Sequence, residues 1–119
     1  MTDNERWVND FAVALTIRAL KDAYTTLQQR IFDWGRETFG AGQRQEGVYA
    51  HLVREMKELG DDLNDGEELA DCAILLFELA GFAEINLLEE VEKKHKINQE
   101  RKWGKIEPDG SILHIKDGG

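Results

Sequence analysis

Residues 51–71 read His51-Leu52-Val53-Arg54-Glu55-Met56-Lys57-Glu58-Leu59-Gly60-Asp61-Asp62-Leu63-Asn64-Asp65-Gly66-Glu67-Glu68-Leu69-Ala70-Asp71. Two acidic motifs lie in this stretch, an ExxE at Glu55 and Glu58 and an ExxD at Glu68 and Asp71. Residues three apart stand on one side of a helix. Each motif therefore aims two carboxylates in one direction. Between them runs a short polar connection with Gly60 suited to end a helix and Asn64 or Asp65 suited to begin one. A connection so short favours antiparallel neighbours. Both acid pairs then face the same space.

Hydrophobic spacing extends this pair of helices in both directions. The first member spans about 46–59, with Val48, Leu52, Met56 and Leu59 as its core stripe. The second spans about 67–81 and is the most apolar segment, which predicts a central position. Upstream, 4–21 carries a stripe of Trp7, Phe11, Leu15 and Ala19, and 24–39 carries Leu27, Ile31 and Trp34. A bend or an unbroken helix between these two fits equally well. Residues 40–45 read as a loop. Downstream, 86–102 is helical, and Pro108-Asp109-Gly110 between short apolar runs reads as the turn of a small hairpin or extended arm. The only proline is Pro108, so nothing before it forces a helix break. The expected class is all-α: a four- to five-helix bundle in one domain over 1–119, with its core at about 24–103 and a tail at 104–119.

The chain is 119 residues long, 41% hydrophobic and 33% charged, with a net charge of −9. That supports one modest core, and oligomerisation would bury more. The acidic balance argues against binding polymeric nucleic acid. One cysteine, Cys72, excludes an internal disulfide framework, fits a reducing compartment and reads as a packing residue. No apolar run approaches the roughly 20 residues of a membrane span. An acidic N-terminus lacks the basic region of a signal peptide. The expected setting is therefore cytoplasmic.

Asp71 lies within an apolar run, from Leu69-Ala70 to Cys72-Ala73-Ile74-Leu75-Leu76-Phe77. A buried unpaired acid is costly, and four converging carboxylates repel one another. A divalent cation resolves both problems, and oxygen ligands suit Mg²⁺ or Mn²⁺. The bland alternative is a set of solvated surface acids. Glu67 could replace Glu68 as a ligand, but only Glu68 stands three residues before Asp71. His51, one turn before Glu55, could orient a carboxylate.

Further on, Lys94, Asn98 and Arg101 fall at i, i+4 and i+7 and share a face. Positive charge near a helix C-terminus complements the macrodipole, which explains the sign but not the spacing. Such a face could hold phosphates. Trp34 beside the glycine loop and Trp103 after the basic face are candidates for stacking on a base, against ordinary packing roles. No nucleophile triad, P-loop or dinucleotide-binding glycine pattern is present.

The order ExxE, short connection, ExxD, then K-x-x-x-N-x-x-R-x-W resembles the MazG-like, all-α nucleoside triphosphate pyrophosphohydrolases. The residues that carry it are Glu55, Glu58, Glu68 and Asp71, then Lys94, Asn98, Arg101 and Trp103, within roughly 24–115. It is especially similar to the short, phage-type dATP/dGTP diphosphohydrolases. The resemblance implies conversion of an NTP or dNTP to the monophosphate and pyrophosphate with Mg²⁺ or Mn²⁺. It implies that the four carboxylates hold the ions, with Glu55 or Glu58 as general base. It also implies a dimer or dimer of dimers, and purine deoxynucleotides, dGTP or GTP ahead, as substrates. The gap between the acidic motifs is shorter than in many members. Competing readings are dUTP, dCTP or a damaged nucleotide, and a non-catalytic helical interaction module.

Overall fold

The computed structural model describes residues 1–116, without the side chains of Tyr24 and Thr25; residues 117–119 of the expected tail lie outside the described residues. Four helices are followed by two strands: α1 Asp3–Phe39, α2 Gln45–Asp61, α3 Gly66–Phe82, α4 Leu87–Glu100, β1 Trp103–Ile106 and β2 Ile112–His114. The two upstream helical segments are one continuous helix. No proline or glycine interrupts it before Gly35. Its start is fixed by a capping box: Thr2 Oγ1 accepts from the Glu5 amide at 3.1 Å, and Glu5 Oε2 accepts from the Thr2 amide at 3.0 Å.

The chain divides into two compact units, residues 1–88 and 89–119. In the first, α2 lies along α3, and α1 packs on α3. Val48 and Leu52 of α2 and Cys72 and Leu75 of α3 form the core, flanked by Leu59, Leu79 and Phe82. Met56, expected in this stripe, is exposed. α1 and α3 approach closely because two glycines lack a Cβ. A Cβ on Gly35 would stand 2.8 Å from Glu78 Oε1, and one on Gly81 would collide with the Phe32 ring. Gln28 closes this end of the unit. Its Nε2 donates to the Ile85 carbonyl at 2.8 Å, and its Oε1 accepts from the Leu87 amide at 3.0 Å.

The apolar stripe of Trp7, Phe11 and Leu15, upstream of the expected core, is exposed, as are Ala19 and the rest of 1–23. Helical periodicity there marks an amphipathic face that no element of the described chain covers. Gly60 also departs from expectation, because α2 runs through it and ends at the cap residue Asp62.

In the second unit, β1 and β2 pair antiparallel across a turn stabilised by Asp109, whose Oδ1 accepts from the Ser111 amide and hydroxyl. Gly110 adopts φ 89, which favours glycine. Trp103 Nε1 donates to the Asn98 carbonyl at 2.8 Å, and its ring meets His114 edge-on. The hairpin is thereby tied back to α4.

Candidate active site

The four-residue connection between α2 and α3 places the end of one helix beside the start of the other. Asp65 caps α3, its Oδ1 accepting from the Glu67 and Glu68 amides at 3.0 and 3.3 Å. The cap fixes the phase of the first turn, and Glu68 turns toward α2. Carboxylate oxygens of Glu55, Glu58 and Glu68 all come within 4.8 Å of one another. Glu67 is exposed and outside this group. Of the two neighbours, Glu68 is the one that stands with Glu55 and Glu58.

Two of the three acids are partly shielded. Oε2 of Glu55 and Oε2 of Glu68 are buried and accept no hydrogen bond. Acids so placed either hold a proton between them or hold a cation. Without a cation, hydrogen bonding to Glu55 and burial push the Glu68 carboxyl up to about 7. The same hydrogen bond, with further help from His51, holds Glu55 below its ordinary value. His51 Nε2 lies 3.0 Å from Glu55 Oε1, so the histidine one turn upstream meets one of the three converging carboxylates. Oxygen-only donors with orphaned buried lone pairs fit Mg²⁺ or Mn²⁺.

Asp71 departs from its expected place. It is exposed, so the argument from a buried acid in an apolar run fails for this residue. A helix of small and apolar residues still has a solvent side, and Asp71 is on it. It follows Glu68 by one turn but is not among the three acids that converge. The buried acid on α3 is Glu78, only 7% exposed. Burial raises its carboxyl, and the positive fields of Arg44 and His51 partly oppose this. Glu78 was not among the residues that the acidic motifs single out. It stands seven residues after Asp71, on the same side of α3, and is buried because α1 crosses there at Gly35, a contact that no spacing within α3 signals. Cys72 is buried behind the acids, as expected, and burial raises its thiol.

Trp34 is 58% exposed and meets Phe39 edge-on, while the Arg44 guanidinium lies over the Phe39 ring. In the second unit, Lys94 is exposed, and Asn98 and Arg101 are half-buried. Arg101 lies one residue past α4, but its amide still donates to the Ile97 carbonyl at 3.1 Å, which preserves the i, i+4, i+7 face. Trp103 spends its N–H on the Asn98 carbonyl.

An all-α chain that gathers glutamates from two consecutive helices around a cation-sized space has the architecture of the MazG-like nucleotide pyrophosphohydrolases. A solved structure of that class aligns with a TM-score of 0.68 and 30% identity, covering 78% of this chain and 97% of that one. It is the Cyanophage S-2L MazG-like pyrophosphohydrolase bound to dGDP and three catalytic Mn²⁺ ions per active site. Residues 27–118 match the model of the dATP/dGTP pyrophosphohydrolase family, and the chain belongs to that family. It is 36% identical over 108 residues to a dATP/dGTP diphosphohydrolase of Salmonella phage PMBT28, covering 86% of this chain. It spans only 37% of that relative's length. It is 32% identical over 91 residues to the Cyanophage S-2L dATP/dGTP diphosphohydrolase, covering 75% of this chain and 85% of that one. Among the described residues, no helix is long and apolar enough to cross a membrane.

Proposed function

We propose that this chain hydrolyses purine deoxynucleoside triphosphates, dGTP and dATP, to the monophosphate and pyrophosphate with Mn²⁺ or Mg²⁺. The observation that carries the reading is the convergence of Glu55, Glu58 and Glu68 with two buried, unpartnered carboxylate oxygens. Both named phage relatives are dATP/dGTP diphosphohydrolases, and the solved neighbour holds dGDP and Mn²⁺.

Glu55, Glu58, Glu68 and Asp71 would hold the cations, with Asp71 brought in by a rotamer change from its exposed position. When bound, divalent cations neutralise phosphate oxygens and lower the pKa of an attacking water. His51 holds Glu55 in its ligating orientation. Glu58, the exposed member of the trio, is the glutamate best placed to take a proton from that water. Lys94 and Arg101 supply positive charge for the departing pyrophosphate, and Asn98 donates to a phosphate oxygen. Trp34 stacks on the base; Trp103 shapes the basic face from the hairpin side. The working form is a dimer or dimer of dimers in the host cytoplasm.

The test is a panel of all NTPs and dNTPs with Mn²⁺ or Mg²⁺, with the released species identified by phosphorus NMR. Release of pyrophosphate and dNMP from dGTP or dATP is expected. Release of orthophosphate, or no turnover of any nucleotide, sinks the reading.

A further inference from the structure

We infer that Glu78 reads the base of the substrate, its two carboxylate oxygens accepting hydrogen bonds from the N1–H and the 2-amino group of guanine. This rests on the reading of the chain as a deoxynucleoside triphosphate pyrophosphohydrolase and names the residue that ranks dGTP above the other nucleotides. Glu78 is 7% exposed, the one buried charged side chain among the described residues. Arg44 and His51 act on its carboxyl through their fields, but among the described residues none donates a hydrogen bond to it. A carboxyl taken out of water without donors is costly, so its retention calls for donors from outside the chain.

The fold makes room for this carboxyl. Oε1 lies 2.8 Å from the place a Cβ of residue 35 would take, and only the glycine there lets α1 cross. Cδ is 3.7 Å from the same place and Oε2 is farther still, so the second oxygen is turned away from α1. Glu78 also stands in line with the acids. Arg44, His51, Glu55 and Glu58 follow one another at steps of seven, four and three, along one stripe of α2 and its cap. Glu68 meets the Glu55 and Glu58 end of that stripe, and Glu78 feels the Arg44 and His51 end. From Glu68 to Glu78 the helix advances about 15 Å, the span of an extended nucleoside triphosphate from its phosphates to the far edge of its base. Phe39, one turn beyond Gly35, carries the Arg44 guanidinium over its ring at 4.8 Å and meets Trp34 edge-on. Flat groups able to stack on a base therefore border the same end of the groove.

The donor pattern selects the base. An ionised carboxyl offers two acceptors side by side and no donor. Guanine alone among the common bases presents two adjacent donors on its pairing edge, N1–H and the 2-amino group. Adenine and cytosine set a lone pair beside their amino group, and thymine and uracil flank a single N–H with carbonyl oxygens. Each of these turns a lone pair toward the carboxylate, which is unfavourable in a buried place.

The test compares bases in the wild type and in Glu78→Gln, whose amide keeps the shape and replaces one acceptor by a donor. In the Mn²⁺-loaded wild type, kcat/KM for dGTP should exceed that for dITP, which lacks only the 2-amino group, about 10- to 100-fold. Glu78→Gln should lose a similar factor for dGTP, through KM with kcat little changed, because the contact is made before and during the reaction alike. It should also turn the preference toward dATP, whose edge offers an amide one donor and one acceptor. Equal use of dGTP and dITP by the wild type overturns the proposal, and that comparison stands even where the variant fails to fold. An equal loss for every purine in Glu78→Gln marks a structural role and overturns it too. Calorimetric titration of the Mn²⁺-loaded chain with dGMP and dIMP separates base reading from turnover. Tighter binding of dGMP without hydrolysis of any triphosphate sinks the functional reading alone. Hydrolysis of dGTP without discrimination of the 2-amino group sinks the assignment of Glu78 alone, and binding of neither monophosphate with no turnover sinks both.

Discussion

Glu68 couples protonation to the stability of the fold. Its carboxyl is raised to about 7 in the folded chain without a cation, against an ordinary value of 4.5. The folded state thus binds a proton more tightly than the unfolded state, and the resulting stability is fully present below pH 4.5. It is lost as pH rises from there through about 7. Glu55, held below its ordinary value, titrates beneath this window and does not cancel the effect. Thermal melts of the metal-free chain should fall in Tm between pH 5 and 8, and Glu68→Gln should flatten that slope. With Mn²⁺ present the proton is displaced, so calorimetry near pH 6 in buffers of different ionisation enthalpy should detect proton release on binding. A second residue-scale test concerns Gly35. Its Cβ would press on the Glu78 carboxyl, so Gly35→Ala should cost about 1–3 kcal/mol in urea unfolding. Glu78→Ala in the same chain should recover part of that loss, because the two sites touch. Purely additive losses would mean the clash is not with Glu78.

At the scale of the element, the capped start of α3 sets the site. Asp65→Ala removes the acceptor for two amides and should cost about 1 kcal/mol of stability. It should also weaken Mn²⁺ binding more than an equally destabilising core change such as Leu75→Val, since the cap fixes the turn that carries Glu68. The helices themselves were legible because their apolar spacing is regular and proline is absent. The convergence of Glu55, Glu58 and Glu68 was legible because i, i+3 spacing keeps the first two on one side of α2 and the short connection brings the start of α3 back beside it, whereas the same spacing did not bring Asp71 in. What spacing does not reveal is which side of a uniformly apolar helix meets water. Asp71 stands in water for that reason, and the same apolar run conceals Glu78, the one buried charged side chain among the described residues. The stripe of Trp7, Phe11 and Leu15 lies upstream of the expected core, and its exposure shows the same ambiguity: periodicity announces a face without naming what covers it. Gly60 was read as a stop signal, yet glycine inside an exposed helix interior costs only about 1 kcal/mol and is tolerated.

The whole molecule has a small core and a long exposed helix, so its folded state depends on what binds it. Ligands that bind only the native form stabilise it by mass action. Mn²⁺ at 100 times its Kd should therefore add about 2.7 kcal/mol to the unfolding free energy, seen as a rise in Tm. Glu55 and Glu68 bury oxygens with no protein donor, so the cation relieves a strain the apo chain carries, and the rise should exceed that from Ca²⁺, whose larger radius prefers more ligands than three or four carboxylates provide. Glu58→Ala should abolish most of the Mn²⁺ shift while leaving the melt of the metal-free chain nearly unchanged, because Glu58 is exposed and its removal relieves like-charge repulsion with Glu68. A solvated acidic surface with no catalytic purpose behaves differently: it gives a small, salt-screened shift that is alike for Mn²⁺, Mg²⁺ and Ca²⁺ and insensitive to any single glutamate. Melts of the two chains across the three cations, at low and physiological salt, separate these outcomes without reference to turnover.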